Sequence, residues 1–150
     1  VTLANAAGKR TVDAAKFFVA PKDETTRGID LQAGEILTEI VVPPAAGKNA
    51  TYEIREREAM DWPLATASVC LKMSGGKVAS AKVVLGHVGP VPVDSAKAAE
   101  FLAGKSIDEA TAEQAGAAAV EGAKPLSQNG YKVQLAKVAV KRALLAVGKA

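Results

Sequence analysis

Carboxylates and arginines crowd one short stretch of this chain. Tyr52 to Val69 reads Y-E-I-R-E-R-E-A-M-D-W-P-L-A-T-A-S-V. Glu53, Glu56 and Glu58 are interleaved with Arg55 and Arg57. Alternating charges on an extended segment are mostly a solvated face of weak ion pairs. Asp61 differs, because it precedes Trp62-Pro63 at a corner. A carboxylate there either accepts backbone N–H groups and fixes the turn, or bonds a ligand imide.

The remaining reactive side chains are few. His87 is the only histidine, so the chain holds no histidine-based metal cluster or catalytic dyad of its own. It sits in G-H-V-G-P at a strand end and reads as a satisfied structural histidine. Cys70 is the only cysteine, so no disulfide forms within the chain and a reducing, cytoplasmic compartment is the default. Its apolar surroundings in sequence read as a buried small hydrophobe. Gly75-Gly76 lacks the G-x-x-x-x-G-K-[ST] pattern and does not lead from a strand into a helix, so it is a hairpin turn rather than a phosphate loop. Lys97, Lys132 and Lys141 read as helix-surface lysines. No self-contained catalytic set emerges.

The composition sets the frame for these residues. The chain has 150 residues, 49% hydrophobic and 23% charged, as in an ordinary globular domain. Aromatics reach only 4%, so the core is expected to be built from small side chains. The net charge of +3 is spread among acids, without a basic block and interleaved aromatics, which argues against nucleic acid as a partner. The uncharged apolar runs fall short of the roughly 18 residues that a bilayer requires, so no membrane span is expected. The chain opens in Val1-Thr2-Leu3 without Met or a basic, apolar leader, which fits a processed chain or a fragment.

Local patterns give the elements that must hold the corner. Val1–Ala4 and Arg10–Val12 read as short strands around a turn at Ala7-Gly8-Lys9. Asp13 is placed to cap a short helical turn through Phe17-Phe18. Glu35–Val42 is a β-branched run ended by Pro43-Pro44. These pieces hold too little patterned apolar sequence to close a core alone. The stretch from Tyr52 through Glu58 reads as a strand by its alternation, followed by Leu64–Met73, the turn at Ser74–Lys77 and Val78–Val88. Three strands with short links make an antiparallel meander. Asp94 or Ser95 is expected to cap a helix ended by Gly104. Ser106 to Glu109 has capping-box spacing before an alanine-rich helix reaching about Glu121. Asn129 is expected to cap the last helix, Tyr131 to about Val147, whose stripe is Val133, Ala136, Val140, Leu144 and Val147. Strands first and helices after argue an α+β fold: a three-stranded antiparallel sheet with helices packed on one face. The expected division is an incomplete β-rich tail over residues 1–46 and an α+β domain over residues 47–150.

Six pieces in order also carry a resemblance. They are Gly8-Lys9-Arg10-Thr11 with Phe17-Phe18; Gly34 to Pro43 (G-E-I-L-T-E-I-V-V-P); Tyr52 with Arg57-Glu58-Ala59-Met60-Asp61; Ala81 to Gly86 (A-K-V-V-L-G); Ala99 to Lys105 (A-E-F-L-A-G-K); and Tyr131-Lys132 with Val140 to Leu144. Together they resemble the C-terminal part of the FAD-binding medium subunit of molybdenum hydroxylases, the xanthine dehydrogenase and carbon monoxide dehydrogenase family. The resemblance implies an oxidoreductase subunit in which residues 1–46 close the FAD-binding domain and residues 47–150 form the flavoprotein C-terminal domain. It implies electron transfer from iron–sulfur clusters through FAD to NAD or another acceptor. The implied partners are a molybdenum-cofactor large subunit, a 2Fe-2S small subunit and the N-terminal FAD-binding part. By the same carry-over Leu37 touches the isoalloxazine ring, and Asp61 and Trp62 lie beside the flavin. Glu53 holds the cofactor-facing position where the family often has a lysine. The family's glycine-rich pyrophosphate loops have no counterpart here, so this chain alone is expected to bind FAD weakly or not at all. The competing readings are a non-catalytic assembly module of the same kind of complex and an unrelated α+β binding domain.

Overall fold

In a computed structural model, residues 1–58 and 60–149 are described. Ala59, inside the expected Arg57–Asp61 element, lies outside the described residues. The chain divides into two compact units, Val1–Pro44 with Pro90–Pro92, and Ala45–Gly89 with Val93–Ala150.

The first unit is built on β1 (Thr2–Asn5), which runs between β2 (Gly8–Thr11) and β3 (Ile36–Glu39). All pairings are antiparallel. The Asn5 carboxamide accepts the N–H groups of Ala7 and Gly8 and so closes the β1–β2 turn. Asp13 precedes the short helix α1 (Ala14–Phe17), but its side chain makes no cap bond; its carbonyl instead accepts from Lys16 and Phe17. The strand expected over Glu35–Val42 is shorter. It pairs only with β1, at Thr2, Leu3 and Ala4, and Ile40, Val41 and Val42 beyond its end are exposed. Leu3 and Phe17 are the buried apolar side chains of this unit among the described residues.

The second unit carries the expected meander. β4 (Lys48–Ile54), β5 (Ala65–Ser74) and β6 (Lys77–Gly86) pair antiparallel in order, and the two-residue β7 (Val93–Asp94) extends the edge beside β6. Gly75 and Gly76 take φ of 55° and 76°, the left-handed pair that a two-residue hairpin turn needs. Ala65, Ala67, Val69 and Leu71 of β5 alternate inward with Val83 and Leu85 of β6. The alternation predicts a strand running on through Glu58, but β4 ends at Ile54 and the charges from Arg55 to Glu58 lie outside it. The ladder stops at Ile54 opposite Ala65, and the chain leaves it there. Cys70 is only half-buried, because the register gives it the parity of Ser68 and Lys72 on the outer face.

Helices α2 (Ala96–Leu102) and α4 (Tyr131–Lys149) pack on the inner face, and α3 (Glu109–Ala119) packs against both. On α4 the predicted stripe is buried at Ala136, Val140, Leu144 and Val147, joined by Ala139 and Ala143. α3 meets α4 through alanines and Gly116, where an added Cβ would lie 2.6 Å from the Lys137 carbonyl oxygen. Only glycine permits that approach. Ser95 caps α2 through the Ala98 N–H. For α3 the cap is Asp108, not Ser106. The helix starts at Glu109, and the Asp108 carboxylate accepts the Thr111 N–H at 2.7 Å, a bond that also holds its pKa below the ordinary value. Asn129 turns its side chain back to the Leu126 N–H, closing the preceding loop, and offers α4 only its carbonyl. No described helix is long and apolar enough to cross a membrane.

Candidate functional site

The loop from Arg55 to Pro63 leaves β4 and returns to β5, closed at its base by the Leu64 N–H bonding the Ile54 carbonyl at 2.7 Å. Asp61 organises it. One carboxylate oxygen accepts the Arg57 N–H at 3.2 Å, and the other accepts the Trp62 N–H at 3.0 Å. The Arg57 guanidinium stands 3.5 Å from the first of these oxygens. Of the two roles open to Asp61 in sequence, fixing the turn is the one this geometry displays. Half-buried itself, Asp61 holds Trp62 outward with 84% of its surface exposed. Met60 beside it is fully exposed as well. Large apolar side chains presented by an anchored turn mark a surface that another group covers.

Glu53 lies on the outer face of β4, opposite Thr66, and its carboxylate bonds the Arg55 guanidinium. On the opposite face Arg142 of α4 lies over the Tyr52 ring, 5.1 Å from its centroid, and donates to the Tyr52 hydroxyl. Sequence reading noted both residues but could not join them across 90 positions. A groove of about 800 Å³ runs along this edge, lined in part by Tyr52, Glu53, Arg55, Leu135 and Arg142. The structure thus brings Glu53, Asp61 and Trp62 to one end of the second unit. Leu37 belongs to the first unit, half-buried in β3 opposite Leu3.

Sequence reading also passed over a charged cluster in the first unit. Arg10 meets Glu35 with both prongs of its guanidinium, at 2.7 and 2.9 Å, and meets the Asp30 carboxylate at 2.9 Å. The Arg10 guanidinium holds both carboxyls below their ordinary values of 4.5 and 3.8, aided at Glu35 by the Gln32 N–H. Their contribution to stability is therefore complete above those ordinary values and is lost as pH falls through the depressed ones. The melting temperature is expected to hold from about pH 7 to about pH 5 and to drop below that, the drop being flattened in Arg10→Gln. Thermal melts of both proteins across acid pH check this. An equal acid drop in the variant would remove the cluster from the account.

The other candidate groups are structural. His87 has a left-handed φ of 61°, and its Nδ1 stands 3.4 Å from the Thr66 hydroxyl. Its carbonyl accepts from Lys132 Nζ at 2.9 Å, so Lys132 is a half-buried brace for the β6 exit rather than a free surface lysine. Lys97 pairs with Glu121, and Lys141 with Glu109 and Glu113, which raise its pKa. A second cavity of about 270 Å³ lies between the ends of β6 and α3 and the start of α4. Three of its polar residues are already engaged: Glu121 with Lys97, Asn129 with Leu126, Lys132 with His87. No group of acidic, histidine or cysteine side chains able to hold a metal exists among the described residues.

Known proteins are similar to this chain in sequence and fold. The CO dehydrogenase flavoprotein C-terminal domain matches residues 50–147. The carbon monoxide dehydrogenase medium chain of Afipia carboxidovorans is 33% identical over 119 residues, covering 76% of this chain and 41% of its own length. The glyceraldehyde dehydrogenase medium chain of Sulfolobus acidocaldarius is 30% identical over 109 residues, covering 73% of this chain and 37% of its own. Among solved structures, quinoline 2-oxidoreductase from Pseudomonas putida 86 superposes with a TM-score of 0.88 at 32% identity, over 99% of this chain and 51% of that one. The chain thus spans about two fifths of the curated relatives it matches and about half of that solved chain.

Proposed function

Since the chain belongs to the family of CO dehydrogenase-type flavoprotein subunits, through their C-terminal domain, we propose that it forms the ring-facing part of an FAD site in a molybdenum hydroxylase. The observation that carries this reading is the exposed indole of Trp62, held outward by an aspartate that both ends of its loop bond.

The residues present fit part of the cofactor. In the second unit the exposed indole and the ion-paired Glu53 suit a flat, amphipathic ring. Nothing among the described residues fits the pyrophosphate, which needs backbone N–H groups at a glycine-rich strand-to-helix turn. Gly75-Gly76 joins strand to strand. On this reading FAD, once bound, would join one-electron delivery from iron–sulfur clusters to two-electron reduction of NAD or another acceptor. The chain's own residues do the rest. Trp62 gives the ring an apolar wall and excludes water. Asp61 keeps that wall in place through the loop backbone, leaving little acceptor capacity for the flavin itself. In the first unit, taken by itself, Leu37 offers an apolar side chain to the flavin. The Glu53 carboxylate, neutralised by Arg55, stands where a ring-facing lysine is common in the family, so acceptor preference need not follow that of lysine-bearing relatives. The partners in this proposal are a molybdenum-cofactor large subunit, a 2Fe-2S small subunit and the N-terminal FAD-binding part. The setting is cytoplasmic.

Trp62 is the only tryptophan of the chain, which gives a direct test. Its emission, taken as the difference between the FAD-loaded subunit and its Trp62→Phe variant, is expected to be strongly quenched and to recover when FAD is stripped. Equal Trp62 emission with and without FAD would contradict the reading.

A further inference from the structure

The Arg10 cluster lies in register with the proposed flavin contact. Arg10 pairs across β2 and β1 with Leu3, and Leu3 pairs across β1 and β3 with Leu37. Residues directly opposite in a sheet share a face, so these three side chains form one row. Glu35 precedes Leu37 by two residues and shares its parity. The Arg10 guanidinium therefore reaches along its own face to the lead-in of β3.

Backbone pairing alone fixes this strand poorly. β3 has four residues, and its register with β1 shifts between Thr2 and Leu3, next to the Leu37 pair. A slip of one residue would turn Leu37 to the other face. The buried Leu3 opposite Leu37 favours one register, and the cluster adds a second hold on it. The Glu35 side chain is only 6% exposed and takes both prongs of Arg10 together with the Gln32 N–H at 2.8 Å. Arg10 also takes the Asp30 carboxylate and, at 2.9 Å, the Asp30 carbonyl. A planar fork holding side chain and backbone at once ties β2 to the chain just before β3.

We propose that Arg10 is a positioning residue of the flavin site: by clamping Glu35 and Asp30 it sets the register of β3, and so the face on which Leu37 meets the ring. This rests on the reading that Leu37 touches the flavin. Lysine cannot replace arginine here, because a single ammonium cannot bridge two carboxylates and a carbonyl in one plane.

The test is a double-mutant cycle in the FAD-loaded full-length subunit, with Arg10→Gln, Leu37→Ala and both together. Readouts are the FAD dissociation constant, the shape of the visible flavin band and the melting temperature. Arg10→Gln is expected to weaken FAD about tenfold and to alter the band, yet to add less than about twofold in the Leu37→Ala background. Arg10→Lys, which keeps the charge and gives a folded protein should Arg10→Gln fail to accumulate, is expected to alter the band in the same sense. If either Arg10 variant lowers the melting temperature while leaving the FAD affinity and band unchanged, the clamp is merely structural and the proposal falls. A tenfold loss persisting in the Leu37→Ala background also overturns it. If Leu37→Ala itself leaves FAD binding unchanged, the flavin-contact reading of Leu37 falls first and takes the proposal with it.

Discussion

Leu144→Ala is expected to lower the unfolding free energy of the second unit by about 3–5 kcal/mol, enough to unfold many small domains near body temperature. Leu144 has no exposed surface and sits in the α4 stripe between Val140 and Val147. The same cluster holds Ala67, Val69 and Leu71 of β5 and Ala112, Ala115 and Ala119 of α3. The many alanines of that cluster are the reason for placing the loss high in the usual range. Alanines carry no flexible side chain that could swing into a void. The α3–α4 approach at Gly116 is already limited by backbone. The cavity left by the missing isobutyl group therefore stays open, and its loss of contacts adds to the transfer term. Urea unfolding should show a lower midpoint with an unchanged slope. Leu126, 76% exposed on the loop before α4, is the internal control: Leu126→Ala is expected to stay within about 0.5 kcal/mol of the parent. Equal losses at the two positions would mean that the helical layer does not pack as described.

Such a core was legible in the sequence because its signals are local and periodic. Apolar strand runs at β5 and β6, a left-handed glycine pair between them and a helical stripe on α4 each need only their own segment. Where competing groups lie close together, sequence misplaced the detail. Ser106 and Asp108 both suit a cap, and only the start of α3 at Glu109 decides for Asp108. Asn129 suits a cap too, but the Leu126 N–H is nearer. The length of β3 depends on its partner, and β1 has only four residues to offer. Cys70 lies in an apolar run, yet the parity of β5 puts it on the outer face.

The site was legible to a different depth. A corner at Asp61-Trp62 follows from residue types alone, and the geometry gives Asp61 its backbone partners. Contacts across long stretches carry no local signal: Arg142 on Tyr52, Lys132 on the His87 carbonyl, and Arg10 on Glu35 appear only when the elements pack. That any of these residues faces a flavin entered through family resemblance, which charge and spacing could not supply.

If this chain is half of a flavin site, separation from the other half should abolish tight binding. The phosphates carry much of the charge of FAD, and their affinity comes from oriented backbone N–H groups at a helix start. On the proposed reading, this chain meets only the ring of the cofactor and leaves that part of the ligand in water. A loss of at least about a hundredfold, some 2.7 kcal/mol, is expected for the chain alone relative to a subunit that includes the N-terminal FAD-binding part. The decisive measurement is a flavin fluorescence titration of the isolated chain beside that subunit. The account predicts a dissociation constant weaker than about 10 μM for the chain alone and submicromolar binding for the subunit. Submicromolar binding by the isolated chain, or a complete subunit that binds no flavin, would contradict it.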